Sequence, residues 1–431
     1  MATATGRVDK APAPPPDPIH PIRAMTRLST APALGRTLRS QALWAIGLTA
    51  LGHFALELAH GFLPVVYPLL QERLTLSYSQ IGTVALASTS AVTLAQPLFG
   101  HLSDRWDART VAAWSVAWLA GLIGLVGLVP SYPALLGLVV LAGLGSAAFH
   151  PAAASVASHA ARASRRKGAA MSLFSVGGNL GAALSPLLMA LALHRLGLAG
   201  TLGVIPLGLA VGGLLWLGFR EGHGARQTGP TALDDARSQA SLLALSLVVL
   251  AAAARSWFQI AFMTYLPTWL EAQGHPLLYG GQMLFAFSAL VGGGSLVGGV
   301  LSDRVGRWPV MWVSLGLLAP TYGLFLAARG PAQMVLAGLM GLLVGGTFPV
   351  AVVMAQEVWP RGAGFAAGVV MGLGWWPGGL GSWLTGTLAD RMGLDTALAF
   401  LLLPPLVGAA AMGVFGLRAR PRRIHPVPPS Q

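Results

Sequence analysis

The chain has 431 residues, 54% of them hydrophobic and only 10% charged, against roughly 25% charged in an average soluble domain. That balance excludes an ordinary soluble domain and points to a membrane protein. The formal net charge is +13, but the basic residues sit in short loops and tails rather than along one face, which argues against a nucleic-acid partner. With no cysteine, a disulfide framework and a thiolate metal site are both excluded.

The first 40 residues carry Ala-Pro-Ala-Pro-Pro-Pro at 11–16 and no apolar segment. They read as a disordered basic cytosolic tail, not as a cleavable signal peptide. Apolar runs of about 20 residues, the length that crosses a bilayer, then follow at 42–70, 79–102, 110–129, 133–158, 168–193 and 198–219. A polar interval covers 220–239, and six more runs follow at 240–270, 279–301, 309–328, 332–356, 363–388 and 395–417. Between the third and fourth runs, Pro130-Ser131-Tyr132-Pro133 is the only plausible break. The expected fold is all-α and integral to the membrane, with 12 transmembrane helices in two six-helix, pseudo-symmetric halves. Its parts are the tail 1–40, a bundle 41–219, a cytosolic linker 220–239, a bundle 240–417 and a basic cytosolic tail 418–431.

The halves are visible as a repeat. Gly100-His101-Leu102-Ser103-Asp104-Arg105, with Arg109 following, returns 199 residues later as Gly299-Val300-Leu301-Ser302-Asp303-Arg304, with Gly306 and Arg307 following. Phe149 and Phe348 also stand 199 apart, each close to a proline. Two related helical halves are the architecture of a secondary transporter, with its site between them. With both termini placed inside, 22 of the 27 Lys and Arg residues fall in cytosolic segments and four in outer loops. That asymmetry sets the orientation.

The remaining basic residue, Arg255, lies inside the seventh run. Ionisable groups at membrane depth are functional candidates. The first run holds three, His53, Glu57 and His60, whose spacing i, i+4, i+7 puts them on one helix face. Such a buried cluster can bind and release protons. Glu57 is the candidate proton-coupling carboxylate, with His53 and His60 tuning or relaying. A hydrogen-bonded structural patch and a three-ligand metal site are the alternatives; without a fourth ligand in sequence, no metal is expected.

Arg255 lies 198 residues from Glu57, so the two are near symmetry mates and are expected to face one cavity. There Arg255 could neutralise Glu57 or bind an anion bidentately, with Gln259 at i+4 as a further donor. His150, beside the kink-permitting Pro151, is a candidate cavity residue. So are Asn179, in the glycine-rich fifth run, and the mid-span pair Trp375 and Trp376. In the paired loops, Asp104, Arg105, Arg109, Asp303, Arg304 and Arg307 read as conformational gates that bridge neighbouring helix ends.

The two Gly-x3-Asp-Arg loops resemble the signature of the major facilitator superfamily, although Trp106-Asp107-Ala108-Arg109 lacks its usual glycine. Tyr67-Pro68-Leu69-Leu70, Tyr78-Ser79-Gln80-Ile81-Gly82, Gln96-Pro97, Phe149-His150-Pro151 and the stretch from Met171 to Gly181 resemble, more narrowly, the fosmidomycin-resistance branch. The resemblance spans roughly 42–417 and implies the major facilitator fold. It also implies alternating-access, proton-coupled export of small anionic or amphiphilic drugs, phosphonates such as fosmidomycin among them. It calls for no cofactor beyond the proton gradient and a place in the cell (inner) membrane, and with two halves in one chain a monomer is the default expectation. Proton-coupled uptake of a small organic anion is the alternative. No catalytic constellation stands out, so an enzyme is not expected.

Overall fold

The computed structural model describes residues 31–103, 105–163, 167–219 and 241–419. Among them there is no strand. The expected linker, the C-terminal tail from residue 420, Asp104 and most of the expected N-terminal tail lie outside the described residues. The first helix already begins at Ala31, ten residues before the expected end of that tail. Its Pro32 sits in the first turn, where a missing N–H costs nothing.

In chain order the helices are α1 (Ala31–His60), α2 (Leu63–Leu74), α3 (Tyr78–Ser103), α4 (Ala108–Ile123), α5 (Tyr132–Ala163), α6 (Lys167–Leu196) and α7 (Val204–Phe219). They continue with α8 (Leu242–Ala272), α9 (Leu277–Val305), α10 (Arg307–Ala327), α11 (Gly330–Gly345), α12 (Phe348–Val358), α13 (Ala363–Leu373), α14 (Trp376–Met392), α15 (Leu394–Ala399) and α16 (Leu403–Ala419).

Ten segments are long and apolar enough to cross a membrane. One of them, Met171–Phe219, has 49 residues, too many for one crossing at 1.5 Å each. The 3-10 turn Gly197–Gly203 divides it into α6 and α7. The pair α13 and α14 supplies a further crossing, broken at Gly374 and Trp375. The total is twelve, six in each half, so both ends of the described chain lie at the same end of the bundle. The predicted break between the third and fourth crossings is observed, where the 3-10 turn Gly124–Leu128 leads to α5 at Tyr132.

Three crossings are discontinuous where one uninterrupted span was expected. The first breaks between α1 and α2, with Pro64 opening the second piece. The tenth breaks between α11 and α12, with Pro349 in the first turn of α12, and the eleventh breaks before Pro377 in the first turn of α14. A proline costs least in the first turn of a helix, where its missing N–H would have had no partner, and each of these three sits where a new helix begins. Gly306, between α9 and α10, adopts φ 96°, which only glycine takes without strain.

The halves meet chiefly where α3 packs on α14 and α6 packs on α9. Close approach is needed there. A Cβ on Gly82 would strike the Tyr265 hydroxyl and the Ser382 carbonyl, and one on Gly281 would strike Ala190 and the Pro186 carbonyl. Trp376 Nε1 donates to Ser90 Oγ at 3.0 Å, and Tyr265 Oη donates to the carbonyls of Tyr78 (3.0 Å) and Ser382 (2.9 Å). Asp390 accepts from the backbone N–H of Tyr78 (2.8 Å) and Ser79 (3.0 Å), capping α3 from the other half. On α3 these contacts run from Tyr78 to Ser90, the half of the helix away from the chain termini. Toward the terminus end Leu94 and Leu98 are 68% and 58% exposed, and α13 packs on α8 and α12 within its own half. The bundle is therefore closed at the end opposite the termini and splayed at the terminus end.

Candidate functional site

Each half builds a polar centre at membrane depth from its first, fourth and fifth crossings. In the first half, α1 presents His53 and Glu57, one turn apart. The His53 ring stacks on Phe174 of α6 (centroids 4.3 Å apart) and lies 5.9 Å from Phe149 of α5. In the second half, α8 presents Arg255 between Trp375 and Phe348, which stand in the eleventh and tenth crossings. Phe149 and Phe348 are the pair the repeat already aligned. A polar residue of the first helix of each half, His53 in one and Arg255 in the other, is thus held between aromatic rings of its fourth and fifth crossings.

Glycine makes the first centre possible. A Cβ on Gly177 would strike the Ala50 carbonyl, one on Gly181 the Phe54 carbonyl, and one on Gly178 the His53 ring itself. The expected close approach of small residues is what lets α6 lie against α1.

His150, expected as a cavity residue, joins this centre. Its Nε2 lies 3.3 Å from Glu57 Oε1, and His53 Nε2 lies 3.8 Å from the same oxygen. His53 Nδ1 faces the Phe174 carbonyl at 3.0 Å, and His150 Nδ1 faces the Ser146 carbonyl at 2.8 Å. A carbonyl only accepts, so each Nδ1 carries the hydrogen. A neutral ring then offers Nε2 as a bare lone pair, and an ionised Glu57 offers only lone pairs in return. The 3.3 Å contact therefore needs a proton on one side of it. The three ligand atoms lie within 4.8 Å of one another, a spacing that also suits a cation. Among the described residues no fourth His, Asp or Glu joins them, so a closed four-ligand metal site is not formed.

His60 does not join the cluster, although it shares the helix face. It turns to α3, where Nε2 meets Ser88 Oγ at 3.1 Å.

Arg255 and Glu57 do not pair. Arg255 is 2% exposed, and its Nη1 donates to Gln259 Oε1 at 2.6 Å. Its guanidinium carbon lies 4.7 Å from the Trp375 ring centroid and 5.3 Å from that of Phe348. Neutralisation of Glu57 by Arg255 is thus not seen in this conformation, because each half supplies its own partners. Gln259 serves Arg255 as an acceptor rather than as the expected donor. Asn179 is exposed and sits across from Gly292 of α9. Trp375 lies on Arg255, whereas Trp376 reaches across to the other half.

Of the paired loops, the second is the better defined. Arg307 pairs with Asp303, donates to Ser302 Oγ at 3.0 Å and reaches Glu357 at the end of α12 at 3.2 Å. Arg304 is exposed. In the first loop, Arg105 is exposed, Arg109 donates to the Phe219 carbonyl at 3.4 Å and Asp107 caps α4. Sequence reasoning missed the structural parts of Glu357, Asp390, Tyr265 and Phe174.

The family model described as Major Facilitator Superfamily matches residues 49–381. The chain is 28% identical over 372 residues to the fosmidomycin resistance protein of Escherichia coli (strain K12), covering 84% of this chain and 90% of that one. It is 32% identical over 370 residues to the uncharacterized MFS-type transporter YfnC of Bacillus subtilis (strain 168), covering 83% and 90%. Among solved structures, a bacterial homolog of the human lysosomal transporter Spinster, inward-facing and occupied, superposes with a TM-score of 0.73 at 16% identity, covering 86% of this chain and 96% of that one. The nucleoside transporter NupG superposes with a TM-score of 0.65 at 16% identity, covering 86% and 99%. At such identities these two show the fold alone.

Proposed function

This chain belongs to the Major Facilitator Superfamily, and on that premise we propose that it exports small anionic or amphiphilic compounds in exchange for protons. It is a multi-pass membrane transporter, not an enzyme. The observation that carries the proton part is the contact of His150 and His53 with Glu57. Both rings are pinned through Nδ1, so the group works only with a proton in it. Proton release to one side and uptake from the other would then bias the two access states. The similarity to a fosmidomycin resistance protein supports a phosphonate drug as cargo, and the buried Arg255 supports an anion.

The distribution of Lys and Arg supports cytosolic termini in the cell membrane. In that orientation the splayed end faces the cytosol, the conformation that loads an exported compound. Two complete halves support a monomer that needs only the proton gradient.

The test is the purified protein in liposomes with a pH-sensitive dye inside. A pH gradient is imposed and fosmidomycin is added, followed by other phosphonates and amphiphilic drugs. Proton movement triggered by a compound, opposite in direction to that compound and absent in Glu57→Gln, is the expected result. Movement of both in one direction would instead make the protein a symporter for a small organic anion. No triggered movement with any compound would sink proton coupling.

A further inference from the structure

The two polar centres differ in one respect: the first contains its own anion, Glu57, and the second does not. Arg255 Nη1 has Gln259, but Nε and Nη2 are buried and have no hydrogen-bond partner among the described residues. The rings of Trp375 and Phe348 cover the charge, yet they meet it through their faces and offer no acceptor to donors in the guanidinium plane. Nε and Nη2 form one edge of the guanidinium. Their N–H bonds run parallel, at the spacing of two oxygens on one carboxylate or phosphonate. A buried charge with an unmet edge is costly to keep, and membrane proteins retain such groups at solute sites.

Both covering rings stand at helix breaks. Phe348 is the first residue of α12, after Gly346 and Thr347, and Trp375 lies between the end of α13 at Leu373 and the start of α14. A residue at such a break can swing through its own backbone angles without unwinding a continuous helix, and broken helices near the midplane are where transporters of this kind hold solutes. We propose that Phe348 and Trp375 are a two-ring lid closed over Arg255 in this conformation. When the lid opens, the Nε and Nη2 edge takes one oxyanion, a phosphonate or a carboxylate, in a two-point grip. The inference rests on the transport reading and adds to it the edge that grips the solute's oxyanion and the element that admits it.

Binding to the purified full-length chain in detergent tests this without a proton gradient. Fosmidomycin and its uncharged phosphonate diester are titrated calorimetrically into wild type, Arg255→Lys and Trp375→Ala, with thermal melts as the folding control. Wild type binds fosmidomycin and binds the diester at least tenfold more weakly. Arg255→Lys keeps the charge but offers a point rather than an edge, and it loses at least tenfold in fosmidomycin affinity. Trp375→Ala, with the lid weakened, binds as tightly as wild type or more tightly. Three outcomes would each overturn the site or its lid: a Lys variant that binds like wild type, equal binding of acid and diester, or no binding of fosmidomycin. A Trp375→Ala loss equal to that of Arg255→Lys would make the ring a ligand contact and remove the lid. Binding that follows the prediction, in a protein that shows no compound-driven proton flux, would keep this site and reject proton-coupled export.

Discussion

Glu57 and His150 come from the first and fourth crossings and meet at 3.3 Å, with the His150 ring fixed from behind by the Ser146 carbonyl. The pair is a proton-holding unit made by tertiary packing. It is not a property of the Glu57 carboxylate alone.

Replacing Glu57 by Gln should therefore abolish compound-driven proton flux while the protein still reaches the membrane and melts close to wild type. Gln keeps the shape and can still donate to a bare Nε2, so the fold has little to lose. Wild-type flux in this variant, read with the liposome dye assay, would remove Glu57 from the coupling step.

His150→Gln should weaken coupling without removing it. A hydrogen bond to a charged partner contributes about 1.5–3 kcal/mol, which corresponds to roughly a 10–100-fold loss in rate or affinity. His53 Nε2, at 3.8 Å from Glu57, remains as a second partner. The pH at half-maximal flux should also move, a readout that a purely structural residue would leave unchanged.

Much of this was legible in the sequence because bilayer thickness sets the length of apolar runs and because the second half repeats the first. The face bearing His53 and Glu57 follows from helix periodicity alone. The convergence of His150 does not, since it depends on how the fourth crossing leans on the first. The break at Phe348 was hidden inside a run whose average hydropathy stays high across it. Asp390 could not be assigned to α3 from sequence, because its partners lie more than 300 residues away. Arg255 and Glu57 stand apart in this conformation because related positions in two halves occupy equivalent surroundings, not adjacent ones.

The contact of Asp390 with α3 makes a conformational prediction. Asp390 caps α3 across the interface between halves, a carboxylate at a helix N-terminus, where capping contributes about 1 kcal/mol. Asp390→Ala should therefore shift the equilibrium away from the observed state by roughly fivefold. The chain has no cysteine, so a Leu98→Cys, Met371→Cys pair can be spin-labelled without background. The distance distribution between these exposed positions of α3 and α13 should gain a shorter component. An unchanged distribution would show that this contact does not set the balance.

Arg307 joins the ends of α9, α10 and α12 at the surface, so its contribution should be small. Exposed ion pairs are worth about 0.2–1 kcal/mol and are screened by salt. Glu357→Gln should lower the melting temperature slightly at low salt, and the difference should fade at high salt. A large loss that persists in salt would mean the network carries more of the gating than its exposure implies.

Two neighbouring glycines of α6 should separate stability from coupling. A Cβ at Gly181 meets the Phe54 carbonyl, fixed backbone that cannot withdraw, whereas the nearest obstacle to a Cβ at Gly178 is the His53 ring. Gly181→Ala should therefore push α6 off α1, at the about 1–3 kcal/mol typical of overpacking, and lower the melting temperature clearly. Gly178→Ala can be accommodated if His53 rotates away from the Phe174 carbonyl. That movement frees the tautomer, so the fold should largely survive while compound-driven proton flux falls. Equal effects of the two variants on melting, with flux intact in Gly178→Ala, would show that the placement of His53 has no part in coupling.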